Sequence, residues 1–338
     1  MTKWIAVDAM GGDVGIAVTI PACVSFIQQH HDVGVMLCGA TDLIQQELRS
    51  HDIGANRIQV IDAPEVIAMD ESPVAALRYK KKSSMRVAIN LVQSGEAAAC
   101  VSAGNTGALM AISKFVLNTT PGLSRPAITT RMPTTNGSVS HILDLGANVD
   151  SSAEQLAQFA LLGSAVARCM SGIEAPRVGL LNVGEEEIKG SAVIKQASGL
   201  IAECENVNYI GFVEGNDWFS GKADVVVCDG FVGNIALKAV EGMAMLFSKS
   251  LLGSFKRNFY TQISGLLSKS VLNEFKNQVD PRNYNGALLA GLNGAIFKSH
   301  GSADAYSFEK ALEQAHTSVR SHLLDTIATH FAESGIRE

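Results

Sequence analysis

The sequence predicts an α/β protein whose mostly parallel sheet is covered on both faces by helices. Three observations predict it. Short apolar runs alternate along the chain with longer helical patterns. The runs are apolar throughout, with no alternation of polar and apolar residues, as expected of strands buried on both faces. Five of them end in glycine beside Asp, Asn, Ser or Glu, just before the next helix. Sheets of this class bind ligands beyond the carboxyl ends of their strands. The five polar ends therefore predict one composite polar site.

Trp4 to Val7 is the first strand. It ends in Asp8-Ala9-Met10-Gly11-Gly12-Asp13, a glycine turn that feeds a helix from about Gly15 to Gln29. The turn is not GxGxxG, so the dinucleotide fingerprint fails. Asp8 and Asp13 suit ligand or metal coordination, or the capping of a tight turn. Val35 to Gly39 and Arg57 to Ile61 are further strands, with a helix after Thr41 between them. A helix over 72–92 carries Arg78, Lys80, Lys81, Lys82 and Arg86, the densest basic run of the chain. Such a run is a solvated face, a dock for an acidic partner or the wall of a phosphate site. Ser83-Ser84, unusual inside a helix, favours one of the functional readings.

The stretch from Ala97 to Leu109 carries the strongest local signal. An apolar strand breaks at Ser102-Ala103-Gly104-Asn105 and resumes as a helix. The first N–H groups of a helix lack internal partners and its dipole favours negative charge there. Gly104 and Gly107 let the backbone approach a ligand, and Ser102, Asn105 and Thr106 add donors. A plain strand-to-helix corner with Asn105 as N-cap explains the same residues.

Ala127 to Arg131 and Val139 to Leu145 are strands, the second ending Leu143-Asp144-Leu145-Gly146-Ala147-Asn148 before a helix over 152–170. Arg177 to Leu181 is a strand ending in a loop over 182–190 that includes Glu185 and Lys189. Tyr209 to Val213 and Ala223 to Cys228 follow, the latter running into Asp229-Gly230-Phe231-Val232-Gly233-Asn234 and a long helix. From about 246 to 278 the pattern turns amphipathic. Phe255, Phe259, Ile263, Leu266, Leu267, Val271 and Phe275 recur at helical steps, with a break expected at Gly265. Packing on the body, packing on a second subunit and lying in a membrane interface all fit. A last strand near Ala295 to Phe297 ends Lys298-Ser299-His300-Gly301-Ser302, and a closing helix runs from about Ala305 to Phe331.

Composition narrows the function classes. The chain has 338 residues, 47% of them hydrophobic, and a net charge of −6. An acidic chain with few aromatics offers neither a basic field nor a stacking platform for nucleic acid. Six cysteines without CxxC pairing read as reduced core thiols of a cytoplasmic protein. Neither a signal peptide nor an apolar run of transmembrane length is expected. One two-lobed unit over 1–338 is expected, with the amphipathic segment inside it.

Six motifs, AMGGD at 9–13, SAGNTGA at 102–108, LDLGANVD at 143–150, LLNVGEEEIKG at 180–190, CDGFVGN at 228–234 and SHGS at 299–302, resemble the bacterial phosphate acyltransferase family of phospholipid synthesis. They stand in the family's order and span essentially the whole chain. The resemblance implies a three-layer α/β/α sandwich similar to isocitrate and isopropylmalate dehydrogenases and to phosphotransacetylase, usually a homodimer, with no organic cofactor and no metal. It implies transfer of an acyl group from acyl-[acyl carrier protein] to inorganic phosphate. The acyl phosphate then passes to a membrane glycerol-3-phosphate acyltransferase.

That chemistry sets requirements. Phosphate is already an anion and thiolate is a fair leaving group, so neither a strong base nor a protein nucleophile is required. Positioning supplies about 7–11 kcal/mol of such a barrier. One oxyanion donor supplies roughly 3–4 kcal/mol. Lys189 and the 102–107 turn are assigned to phosphate. Asn234 and His300 are assigned to the thioester carbonyl or its sulfur. Gly11, Gly12, Asp13, Asn148, Glu185, Asp229, Gly230 and Gly233 complete the expected lining, with Asp8, Asp13, Asp144 and Asp229 holding loops in shape. The basic run at 78–86 becomes the dock for acidic acyl carrier protein. Phe255, Phe259, Ile263, Leu266 and Leu267 become a contact with the inner face of the cell membrane. A metal- and nicotinamide-dependent hydroxy-acid dehydrogenase reading the same aspartates, and a peripheral scaffold that binds the carrier without turnover, are the alternatives.

Overall fold

The structure is a computed structural model that describes residues 3–51 and 57–334. Among the described residues one sheet of eleven strands runs in the order β3-β2-β1-β4-β11-β10-β5-β6-β9-β7-β8. The first half holds β1 (Lys3–Asp8), β2 (Val33–Gly39), β3 (Ile58–Asp62), β4 (Ala99–Ser102) and β11 (Ala295–Lys298), all parallel. The second half holds β6 (Val139–Leu143), β9 (Val225–Val227), β7 (Arg177–Leu181) and β8 (Asn208–Val213), again parallel to one another. Between them, β10 (Ala287–Ala290) and β5 (Ala127–Pro133) pair antiparallel with each other and with their outer neighbours. Three successive antiparallel steps reverse the second half relative to the first.

Side chains of each strand alternate between two apolar layers. Ile5 and Val7 point to the layer under α1 (Ile16–Gln29), α6 (Ala153–Ser171), α7 (Ala192–Ala202), α11 (Ala305–Arg320) and α12 (Leu323–Glu333). Ala6, Met36 and Cys38 point to the layer under α4 (Ser84–Gln93) and α5 (Thr106–Leu117). Residues 41–48 form α2 (Thr41–Leu48) on the first face. The expected three-layer sandwich is present. Cys23, Cys38, Cys100, Cys204 and Cys228 are buried free thiols.

Several boundaries differ from expectation. The helix expected over 72–92 is two helices, α3 (Pro73–Tyr79) and α4, parted by a turn at 80–83. Ser83 ends that turn, and its hydroxyl accepts from Arg86 N (3.3 Å). The serine pair is unusual inside a helix because it begins one. Lys80, Lys81 and Lys82 thus sit on a turn and not on a helix face. The closing helix also splits, at His322, which adopts a left-handed backbone (φ 54°). Strand β10, in the glycine-rich stretch before β11, was not expected.

The amphipathic segment is longer than the sequence indicated. α8 (Gly230–Phe255) continues into α9 (Phe259–Leu267) and α10 (Lys269–Val279), with the second break at Ser268 and not at Gly265. Gly265 instead receives the ring of Phe255, which is half-buried, while Phe259, Ile263, Leu266 and Leu267 are exposed. α8 is the one described helix long and apolar enough to cross a bilayer by length and composition, a candidate missed because Lys238, Glu241 and Lys249 interrupt its apolar run. Its first turn is seated on the body at Asp144.

Candidate functional site

Because the two halves of the sheet run in opposite directions, the polar strand ends form two clusters, one on each side of the β10–β5 pair. The register brings those ends to nearly one level, because Lys298 pairs with Ala287, Ala290 with Ala127 and Thr129 with Leu143.

The first cluster gathers the ends of β1, β4 and β11. Asp8 is fully buried, and its Oδ2 accepts from Ser102 Oγ (2.6 Å), which in turn accepts from Gly104 N (3.0 Å). Burial raises the Asp8 carboxyl above its ordinary range, against the Ser102 hydrogen bond. Gly11 has no room for a side chain: a Cβ there would stand 2.5 Å from Asp8 Oδ2 and 2.9 Å from Gly104 N. Asp13 N donates to Gly301 O (2.9 Å), closing the 9–13 turn on the 299–302 turn. Asn285 holds that turn from the other side, donating to Ser299 Oγ (2.8 Å) and accepting from His300 N (3.0 Å). The His300 imidazole is exposed, its Nδ1 held by Ser302 Oγ (2.9 Å).

Asn105 is fully engaged within the protein. Its Oδ1 caps α5 by accepting from Ala108 N (3.0 Å), and its amide donates to Met69 O (2.8 Å) and Glu71 O (3.0 Å). It shapes the turn, and Thr106 and Gly107 are the exposed residues at the helix N-terminus. Pro73 at the start of α3 packs on Gly107, and α3 lies against α5. Arg78, Lys81 and Lys82 are exposed, while Arg86 is half-buried with its guanidinium 5.4 Å from the Phe115 ring centre.

In the sequence Lys298 stands only as part of a strand end, yet the structure puts its amine inside this cluster. It is mostly buried and donates to Ala103 O (3.2 Å) and to Ser299 O. Burial lowers its pKa to about 8, opposed by the charges of Asp8 and Asp13. A lysine closing the apolar run Ala295-Ile296-Phe297 was the available signal.

The second cluster gathers the ends of β6, β9 and β7. Asp144 is fully buried; Oδ1 accepts from Ile128 N (2.9 Å) and Ala147 N (3.1 Å), and Oδ2 from Asn148 N (2.7 Å) and Nδ2 (2.9 Å). Burial raises this carboxyl too, against those bonds. Asn148 is thereby a structural residue, its amide also donating to Pro126 O (2.9 Å). Asp229 caps α8, accepting from Phe231 N (2.9 Å) and Val232 N (3.0 Å). Gly230 N donates to Asn148 O (2.8 Å), and a Cβ on Gly233 would fall 1.9 Å from Asp144 O. The helix therefore rests directly on the Asp144 turn. Asn234, one turn into α8, is exposed beside Gly146.

In the 182–190 loop Lys189 Nζ pairs with Glu186 Oε2 (2.7 Å), which raises the lysine pKa. Glu185 pairs with Lys222 (2.5 Å). The four aspartates divide between the clusters: Asp8 and Asp13 belong to the first, Asp144 and Asp229 to the second. Among the described residues no three His, Cys, Asp or Glu side chains come together as metal ligands.

α8 joins the clusters. It starts on Asp144, carries Asn234 on its first turn, and by Lys238 comes within electrostatic reach of Lys298. Lys238 is itself paired with Glu241 (2.8 Å).

Comparison with known proteins adds findings of three kinds. The family described as fatty acid synthesis protein matches residues 4–325. The chain is similar to the phosphate acyltransferase of Legionella pneumophila (strain Paris), 50% identical over 324 residues that cover 96% of this chain and 94% of that protein. It is likewise similar to the phosphate acyltransferase of Hydrogenovibrio crunogenus (strain DSM 25203 / XCL-2), 51% identical over 329 residues and 97% of each chain. In fold it is similar to a phosphotransacetylase from Streptococcus pyogenes, with TM-score 0.64, 16% identity and 94% of each chain covered. A 4-hydroxythreonine-4-phosphate dehydrogenase from Burkholderia phymatum shares the fold at TM-score 0.53 and 14% identity, over 94% of this chain and 98% of that one.

Proposed function

This chain belongs to the family of the phosphate acyltransferases and is an acyltransferase, and from that premise we propose that it transfers a fatty acyl group from acyl-[acyl carrier protein] to inorganic phosphate. The observation that carries the reading is the course of α8. One helix runs from Asn234, beside the Asp144 turn, to the neighbourhood of Lys298 and the 102–107 turn. That course supports the reading, because the turn assigned to phosphate and the residue assigned to the carbonyl are approached by one helix.

The reaction asks for little beyond that. A phosphate oxygen attacks the thioester carbonyl carbon, the tetrahedral oxyanion forms, and the C–S bond breaks. The proton carried by hydrogen phosphate ends on the departing sulfur, giving acyl phosphate and the free carrier thiol. The N–H groups at the start of α5 hold the phosphate with Lys189, which exchanges its Glu186 partner for the dianion. The Asn234 amide donates to the oxyanion. His300, oriented by Ser302, passes the proton toward sulfur through Nε2. Gly11, Gly12 and Asp13 wall the phosphate side; Glu185, Asp229, Gly230 and Gly233 wall the other.

The carrier docks on Arg78, Lys80, Lys81 and Lys82, so that its acidic surface delivers the thioester beside the phosphate. The exposed apolar residues of α9 touch the inner face of the cell membrane, where a glycerol-3-phosphate acyltransferase takes up the product. The chain works in the cytoplasm as a homodimer, with the exposed apolar side of α8 covered by the second copy.

The test is incubation of the purified protein with palmitoyl-[acyl carrier protein] and inorganic phosphate, with acyl phosphate followed by mass spectrometry. Phosphate-dependent product is expected. Carrier binding without product would replace the reading with a scaffold, and neither binding nor product would leave only the fold.

A further inference from the structure

Two peptide groups in the first cluster are held at both ends, and one side chain is shared between them. In the Ala103–Gly104 peptide the N–H donates to Ser102 Oγ (3.0 Å), itself fixed by Asp8, while the carbonyl accepts from Lys298 Nζ (3.2 Å). In the Ser299–His300 peptide the N–H donates to Asn285 Oδ1 (3.0 Å), while the carbonyl again accepts from Lys298 Nζ. A trans peptide points its N–H and C=O in opposite directions, so pinning both ends fixes the plane. The first plane leads into the N-terminus of α5; the second carries His300.

We propose that Lys298 is a positioning residue for acyl transfer: its ammonium clamps these two peptides in one relative orientation and so sets both the affinity for the anionic substrate and the aim of His300. The inference rests on the reading that this cluster takes phosphate. Without the ammonium, two carbonyl dipoles would face an anion site unopposed, and a buried carbonyl left without a donor is costly.

The groups that face the amine are few. Asp8 comes from β1, Asp13 from the turn after it, and Lys238 from α8. Ser102 adds a hydroxyl through Asp8. The two carboxylates favour the charged amine; burial and Lys238 oppose it, leaving it to lose its proton near pH 8.

The experiment compares wild type, Lys298→Met and Lys298→Arg. The KM for phosphate and kcat are read from about pH 7 to about pH 9.5, a span that brackets the loss of the lysine's charge. The rise in Tm on adding inorganic phosphate alone is read as well, which needs no acyl donor. Lys298→Met is expected to raise the phosphate KM about tenfold or more, with a smaller loss in kcat, and to abolish the phosphate-induced rise in Tm. Wild type is expected to lose phosphate affinity above about pH 8, and Lys298→Arg, which keeps its charge, to flatten that limb. A Lys298→Met protein with wild-type KM and wild-type stabilisation by phosphate overturns the inference. So does a wild-type phosphate KM that is flat across the range, or an arginine variant with an unchanged alkaline limb, which also decides the matter should the methionine variant not fold. Wild type that phosphate stabilises but that makes no acyl phosphate removes the proposed reaction alone, and Lys298 is then judged on the Tm comparison.

Discussion

Asp144 holds Asn148 twice, through its backbone N–H (2.7 Å) and its side-chain amide (2.9 Å), both on the same carboxylate oxygen. Asn148 in turn presents its carbonyl to Gly230 N (2.8 Å), the first residue of α8. One buried carboxylate thus holds the turn on which a helix of 26 residues is seated.

Asp144→Asn is the direct test of that arrangement. The amide would bring two donors to a site lined by donors from Ile128, Ala147 and Asn148. Stability should fall by roughly 2–4 kcal/mol, seen as a lower denaturant midpoint. A midpoint within error of wild type would show that the turn is held by something else.

Lys189→Ala should abolish most acyl transfer while leaving the melting temperature unchanged. The Lys189–Glu186 pair is exposed, its side chains 44% and 60% accessible, so its loss should not weaken the fold. Full activity in the variant would remove Lys189 from the phosphate site.

Reversing the charge of Lys80, Lys81 and Lys82 together should raise the KM for acyl-[acyl carrier protein] and weaken its dependence on ionic strength, with kcat little altered. These lysines stand on a turn and not on a helix, so the change should not disturb a helix. An unchanged KM and salt slope would return them to the solvated surface.

Phe259→Glu places a charge on the exposed side of α9, where Phe259 is 71% accessible. Flotation with anionic liposomes should drop for the variant, and undiminished flotation would count against α9 as the membrane contact.

His141 gives the fold a defined acid limb. It is fully buried against Ser171 (2.7 Å), and burial, with the nearby Arg131, lowers its pKa from 6.5 to about 3. The unfolded chain takes up a proton below about pH 6.5 that the native state refuses until about pH 3. Stability from this group is complete above that window and is lost as pH falls through it. His141→Gln should flatten the acid limb of a stability–pH curve, and an equally steep limb in the variant would assign it to other groups.

The short apolar runs and their glycine ends were readable in one dimension because burial on both faces and tight turns constrain residue type locally. They gave the strands of both halves, the sandwich and the positions of the polar turns. Breaks inside helices were harder: the 80–83 turn and the bend at His322 interrupt stretches whose apolar spacing continues across them. β10 was missed because its four residues sit in a glycine-rich segment with little pattern of its own.

What the sequence determined by itself was therefore the class of fold, the family, and the chemical character of each strand end. Three matters belonged to the tertiary structure. The antiparallel pairings of β10, β5 and β6 reverse one half of the sheet, so strand ends that look equivalent in sequence gather in two clusters on either side of β10 and β5, with α8 running from one toward the other. Asn105 and Asn148 spend their side chains on backbone partners contributed by distant segments, which local spacing does not reveal. Lys298 becomes a buried clamp because the carbonyls of Ala103 and Ser299 meet at its amine, and which carbonyls meet is decided by strand order.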